Sequence, residues 1–293
     1  MFINSMLLET AQLPFSDNQY IFEPKIDGHR LIYSNQAGKI KLYTRHRTEC
    51  LRQYPELLES PFDKDIVLDG ELACVDSETG RVDFELIMKR FLARKEDKIN
   101  LYTRTLPVTY VVFDILHYDG QDTRKLPLHE RKALLQEIPL KNPRMGKTPY
   151  VQGAGESLFK QMEVNQMEGM VAKRLDSTYV GRRSADWLKV INWTYVDVVI
   201  MGYRKSEFGW IAGVKQPGGE VKPVGMIRFG VSPKAKQELY KISSKLKTGE
   251  TDDYVYLEPI IGAQVKIRNW TRAKKLRDPV FVKFNNVVQK VAL

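Results

Sequence analysis

The texture of the chain breaks after Trp193, so two separately built modules are expected. Before that residue, apolar stretches of strand length alternate with helical ones. Charge there is nearly balanced: residues 1–193 hold 28 Lys and Arg against 27 Asp and Glu. Residues 194–293 hold 18 against 9, so almost all of the +10 net charge falls in the last third. There, 196–203, 224–231 and 263–270 read as strands separated by turns such as Gln216-Pro217-Gly218-Gly219, with one helix over 234–246. A near-neutral module at 1–193 joined to a basic one at 194–293 is expected, the second meeting a polyanion. Short strands with a single helix in a basic module suggest a small barrel of the OB type.

The first module reads as α+β with antiparallel sheets. Residues 1–18 form a lead-in or short helix ending at Pro14, and 20–23 a short strand. Segments 30–35 and 39–44 alternate around Gln36-Ala37-Gly38, the pattern of a hairpin. Helices are expected over 54–59, 82–94, 128–137 and 155–165, and strands over 65–68, 107–115 and 169–174. The longest apolar runs break within a few residues, so no membrane span is read. MFINSMLLET lacks the basic and apolar regions of a signal peptide. Cys50 and Cys74 are then free thiols, and a cytoplasmic protein is expected.

Chemistry concentrates at Glu23-Pro24-Lys25-Ile26-Asp27-Gly28-His29-Arg30. A strand delivers Lys25 to a turn at Gly28, with Arg30 nearby. A protonated amine is no nucleophile, but burial and neighbouring cations can lower its pKa enough to make it one. A lysine in such a loop is more often merely solvated. The string K-x-D-G-x-R, together with an ordered series of further motifs downstream, alters that balance. Those motifs are Tyr43-Thr44-Arg45, Asp69-Gly70-Glu71, Phe113-Asp114, Glu168-Gly169-Met170-Val171-Ala172-Lys173, and Gly181 to Lys189. Each has a bland counterpart, a turn for Asp69-Gly70 and plain core for Phe113. None of the four histidines is given a catalytic role, and no His/Cys cluster suits zinc.

In this order the motifs resemble those of the covalent nucleotidyltransferases: ATP-dependent DNA ligases, RNA ligases and capping enzymes. The resemblance implies that Lys25 is the nucleophile forming lysyl-AMP from ATP. It implies that Arg30 and Arg45 contact nucleotide or nucleic acid, and that Phe113 stacks on the purine. Glu71 would bind the ribose or a metal, and Glu168 would hold Mg²⁺, with Mn²⁺ as a substitute. Lys173, Arg183 and Lys189 would be cationic ligands of the nucleotide. Glu23 would accept from the adenine amino group, favouring ATP over GTP. Residues 269–281, from Asn269-Trp270-Thr271 to Pro279-Val280-Phe281, resemble a segment of bacterial and viral DNA ligase OB domains.

Two positions depart from the family pattern. The expected K-x-K at Lys189 reads Lys189-Val190-Ile191, and the expected R-x-D-K after Phe281 reads Val282 to Val288 without an arginine. Lys283 or Lys290 would have to replace that arginine. Lys25 lies so near the start that a minimal two-module arrangement is expected. The expected function is a monomeric ATP-dependent DNA ligase sealing nicks in duplex DNA. An RNA ligase or capping enzyme is the nearest rival, and a nick-binding protein without catalysis a more distant one.

Overall fold

The computed structural model describes residues 1–59 and 62–285. It divides into two units, Met1–Asn192 and Trp193–Leu293. The strands of the first are β1 (Leu7–Thr10), β2 (Tyr20–Pro24), β3 (His29–Gln36), β4 (Lys39–Thr44), β5 (Ile66–Cys74), β6 (Val108–Tyr118), β7 (Gln121–Asp122), β8 (Met145–Lys147), β9 (Val151–Gln152), β10 (Gly169–Arg174) and β11 (Arg183–Ile191). Its helices are α1 (Phe84–Phe91), α2 (Glu96–Thr105), α3 (Leu128–Glu137) and α4 (Gly155–Val164).

The strands form two sheets. One runs β1-β11-β10-β2-β9, antiparallel except where β1 joins β11; the other runs β4-β3-β5-β6-β7, with β8 added parallel to β6. Alternation along each strand gives each sheet two faces with different work. Phe22, Met170, Ala172 and Val190 point to one side of the first sheet and pack with Leu158, Phe159 and Met162 of α4. Ile21 and Trp187, on the opposite side, share a core with Ile32, Val67 and Leu116 of the second sheet. The far side of the second sheet carries Leu31, Tyr33, Leu68, Leu72 and Tyr110 against Ile87 of α1 and Leu135 of α3. The two sheets therefore face each other across a cleft that is apolar at one end.

The second unit holds β12 (Thr194–Arg204), β13 (Trp210–Lys215), β14 (Val221–Ile227), α5 (Pro233–Leu246), β15 (Lys247–Glu250), β16 (Tyr254–Ile267) and β17 (Val280–Phe284). Strands β14-β13-β12-β16 lie in order, and the long β16 pairs with β15 near one end and β17 near the other. All these pairings are antiparallel. Leu239 and Ile242 of α5 pack on Trp210, Ile261 and Val265.

Several expectations change. Residues 7–10 form a strand rather than a helix, because Ile3 and Met6 bury themselves beside Tyr179 and Trp187 and draw the lead-in alongside β11. Two 3₁₀ turns, Leu51–Gln53 and Pro55–Leu57, replace the helix expected over 54–59. Strand β5 runs to Cys74, so Asp69-Gly70-Glu71 lies inside it and not in a turn; Asp69 and Glu71 face Ile32 and Arg30 across the pair. Helix α1 starts only at Phe84, capped by Asp83, whose carboxylate accepts from the backbone of Glu85 and Leu86. Cys50 and Cys74 are free and buried. No helix among the described residues is long and apolar enough to cross a membrane.

Helix α3 is fastened by a buried ion pair. Arg131 donates to both Asp114 oxygens at 2.8 and 2.9 Å, and to the carbonyls of Leu126 and Ser177. Replacing Arg131 with Met would leave the Asp114 carboxylate buried and unpaired. Urea unfolding should show a loss of about 3–5 kcal/mol. The exposed Lys141–Asp63 pair, also 2.8 Å long, is the control: Lys141→Ala should leave the midpoint unchanged within error.

Candidate active site

The pairing of β2, β10 and β11 lays the site out as a grid. Glu23 pairs with Val171, which pairs with Lys189; Ile21 pairs with Lys173, which pairs with Trp187. One step further the Lys25 amide donates to the Gly169 carbonyl at 2.9 Å, and Gly169 pairs with Ile191. Directly opposed residues share a face, as do residues two apart. Lys25, Glu23, Lys173 and Lys189 therefore line the cleft side, in rows with Gly169, Val171, Trp187 and Ile191.

The Lys25 row is the reactive end. Lys25 Nζ lies 2.8 Å from Glu168 Oε2, with side-chain exposures of 20% and 8%. Two glycines permit this approach. Gly169 has φ 141°, and a Cβ there would stand 2.1 Å from the Val190 carbonyl oxygen. A Cβ on Gly28 would meet the Leu72 carbonyl oxygen at 2.4 Å and Glu71 Cγ at 2.8 Å. Gly28 thus serves close passage over β5 rather than a left-handed turn. Glu71 completes this end. Burial pushes its carboxyl up to about 8; Lys25 and Arg30 oppose the rise, and Glu168 adds to it.

Arg30 faces the same cleft from the second sheet, opposite Glu71. Its guanidinium is engaged by Asp69, at 3.0 and 2.6 Å, and by the Met6 carbonyl at 2.7 Å. The Tyr179 hydroxyl donates to the same Asp69 carboxylate at 2.6 Å. Arg30 also lies 5.2 Å from the centre of the Phe113 ring. Asp69 stands in its motif without a role of its own in the sequence reading, and Tyr179 was not singled out. The signal available for Asp69 was a charged residue in phase with the buried side of an apolar strand.

At the Glu23 end the structure brings together a group the sequence only half revealed. Glu23 is 3% exposed and carries an ammonium against each oxygen: Lys132 of α3 on Oε1 and Lys173 on Oε2, the latter at 2.7 Å. The Lys173 ammonium also lies 4.1 Å from the ring centres of both Phe113 and Trp187. Burial lowers its pKa to about 8, against the opposing pull of Glu23. Lys173 is therefore paired beyond Glu23, two rows from Lys25, where the expectation had it facing phosphate. The motif pointed to Lys173 but not to Glu23, on the neighbouring strand, as its charge partner. Lys132 was missed; on α3 it follows Arg131 on the face that also buries Leu128 and Leu135.

The remaining candidates lie further out. Lys189, half-buried on β11, is in the Glu23 row. Arg183 is exposed and donates to the Leu8 carbonyl of β1. Arg45 is exposed after β4, donating to His46 Nε2 at 3.0 Å. In the second unit Lys283 is exposed, and Asn285 donates to Asp197 Oδ1 at 3.1 Å. Lys290 lies outside the described residues. Among the described residues no group of three or more His, Cys, Asp or Glu is arranged for a metal. The coupled carboxylates Glu71 and Glu168 do fit a hard cation that takes one or two protein oxygens and fills its shell from phosphates.

Comparison with known proteins agrees with this arrangement. The chain matches the sequence model of the ATP dependent DNA ligase domain over residues 5–190. It is 37% identical over 282 residues to the SPbeta prophage-derived DNA ligase-like protein LigB of Bacillus subtilis, covering 96% of this chain and 98% of that one. It is 30% identical over 283 residues to the multifunctional non-homologous end joining DNA repair protein LigD of Mycobacterium tuberculosis, with 89% of this chain matched to 35% of that longer protein. Among solved structures, mycobacterial DNA ligase D complexed with ATP and MES superposes with a TM-score of 0.59 at 26% identity, covering 97% of this chain and 95% of that one. A Lig E DNA ligase gives a TM-score of 0.67 at 14% identity, over 97% and 100% of the two chains, and speaks for the fold alone. The family model and these relatives place the chain among the covalent nucleotidyltransferases. Within that class the chain belongs to the ATP-dependent DNA ligase family.

One neighbour of Arg30 offers a pH test of the local fold. His29 points away from the cleft and meets the Phe91 ring edge-on, 4.4 Å between centres. Burial, with help from Arg45, lowers its pKa to about 4 from 6.5. As pH falls, the unfolded chain takes up that proton before the folded one does, so stability falls between about pH 6.5 and 4. His29→Asn should remove this component: the drop in unfolding free energy from pH 7 to pH 4.5, measured in urea, should be smaller than in the parent. Equal drops would show that His29 does not carry it.

Proposed function

We propose that this chain seals nicks in duplex DNA in three steps, two transfers of one adenylyl group and a final displacement of AMP. Lys25 Nζ attacks the α-phosphorus of ATP, forming a P–N bond as pyrophosphate leaves. The AMP then passes to the 5′-phosphate at the nick. The 3′-hydroxyl attacks that phosphate, closing the phosphodiester and releasing AMP. The observation that carries this reading is the row of Lys25 and Gly169 with Glu168 Oε2 at 2.8 Å from the amine. Lys25 must give up a proton before it attacks; a divalent cation that took Glu168 from this ion pair would leave the amine beside positive charge, which favours its neutral form.

The other residues take roles that accord with their places. Glu23 accepts from the 6-amino group of adenine, and Phe113 stacks on the purine. Lys173, tied to Glu23, belongs to the base end. Lys189 is the cation of the shared face that serves phosphate, with Arg183 and Arg45 towards the rim; Arg30, held by Asp69, braces the Glu71 side. Mg²⁺, or Mn²⁺ in its place, held by Glu71 and Glu168, would neutralise phosphate charge and strengthen the electrophile.

We assign residues 194–293 an OB-type barrel that grips DNA as part of a monomeric, cytoplasmic enzyme. Support comes from the antiparallel strands packed with one helix and from the cationic excess. Part of that excess is already spent: Arg204 pairs with Glu207, and both Lys205 and Lys247 with Glu250. Lys215 and Lys222 on the β13–β14 hairpin are exposed and suit phosphate contacts.

Incubation with α-labelled ATP and Mg²⁺ followed by a denaturing gel should show a covalent AMP adduct, absent in Lys25→Ala. A persisting adduct would place the nucleophile elsewhere. Binding to nicked duplex should weaken steeply with salt, the slope of log K against log salt growing by about 0.9 for each phosphate contacted. A flat response would remove the basic surface as the DNA grip.

A further inference from the structure

Lys132 lies in none of the motifs, yet it is 2% exposed and set against Glu23, the carboxylate proposed above to meet the base. It arrives from α3, which the saturated Arg131–Asp114 pair holds fast. A buried ammonium costs several kcal/mol in lost hydration, and the neighbouring buried positions Leu128 and Leu135 show that apolar side chains suit this face. Packing alone therefore does not call for a lysine. Its partner is Glu23, whose other oxygen Lys173 holds from the opposite side. Each buried oxygen of Glu23 faces one ammonium, and a carboxylate oxygen has two lone pairs. A buried acceptor with unspent capacity, fixed in place by charge, is suited to receive an N–H from a ligand.

We propose that Lys132 is a positioning residue for nucleotide choice. It clamps the Glu23 carboxylate so that its remaining lone pairs accept from the amino group of a 6-aminopurine. A 6-oxopurine would set its carbonyl oxygen against the same acceptor and be rejected. This rests on the reading that Glu23 meets the base, and the experiment separates the two.

The test compares the full chain's initial rate of covalent adduct formation with ATP and with the purine nucleoside triphosphate that lacks the 6-amino group. The parent should prefer ATP by roughly 10- to 100-fold in kcat/KM, the worth of a hydrogen bond to a charged acceptor. Lys132→Met should shrink that preference to below about 3-fold, mainly through KM for ATP, and Lys132→Arg should restore most of it. A merely structural lysine would slow both substrates alike, so an unchanged preference in Lys132→Met overturns the proposal. If Lys132→Met fails to fold, Glu23→Gln and Glu23→Gln/Lys132→Met carry the test, since neither leaves a buried carboxylate unpaired. Lys132 acting through Glu23 predicts the same preference in both, and a difference overturns it. A parent that does not discriminate between the two nucleotides instead overturns the placement of Glu23 at the base.

Discussion

The hydrogen-bonded register of β2 on β10 decides which side chains can meet in the cleft. With the Lys25 amide on the Gly169 carbonyl, Glu23 and Lys25 face the cleft, while Phe22 and Pro24 turn towards α4. A slip of one residue would exchange the two sets. Glu23 and Lys25 would then enter a core built from Phe22, Leu158, Phe159 and Met170, where neither charge has a partner. Burial on the α4 side thus enforces the chemistry on the other. Gly169 is indispensable to this register, because β11 passes so near that its Val190 carbonyl leaves no room for a Cβ.

The same cleft holds an unusual density of buried charge. Arg30 with Asp69, Arg131 with Asp114, and Glu23 between Lys132 and Lys173 each sit where an unpaired ion would be intolerable. Such pairs add little net stability compared with apolar packing. What they supply is direction. Arg30 is held at 2.6 Å by an Asp69 oxygen that also accepts from Tyr179 at 2.6 Å, so its guanidinium offers a fixed positive surface behind Phe113. Groups already paired need little rearrangement when a polyphosphate enters, which is the economy of a preorganised site.

Much of this was legible before the structure. The motifs located Lys25, Glu71, Phe113, Glu168 and Lys189, and apolar periodicity recovered β10 and α3 to the residue. Contacts made at long range were not legible. Asp69-Gly70-Glu71 has the composition of a turn, and only pairing with β3 makes it strand. The polar α2 lacks an apolar stripe wide enough to announce it, and the short β13 is interrupted by Gly213. Lys132 could have been flagged as a charge in phase with Leu128 and Leu135, but nothing in the sequence names Glu23 as its partner. The motif likewise picked out Lys173 without revealing that it pairs with Glu23.

The two departures from the family pattern have different physical meanings. Ile191 stands in the very row of Lys25 and Gly169, and it is 6% exposed. The missing cation is therefore absent from the centre of the reactive end, and an isoleucine there cannot stabilise charge on a departing pyrophosphate. Lys189, one row away on the same face, is left as the strand's contribution. Asn285 differs in kind. It is neutral and already tied to Asp197 on β12 and, through its backbone, to Gly262, so that end of β17 is used for packing the second unit. An enzyme lacking both cations leans more heavily on what the first unit keeps in place. On the roles proposed above, the electrostatic burden of the first transfer would fall on Lys189 and on a cation shared by Glu71 and Glu168. Glu71 is well suited to that task. A carboxyl raised to about 8 by burial is costly to ionise alone, and a divalent cation beside it would repay that cost directly.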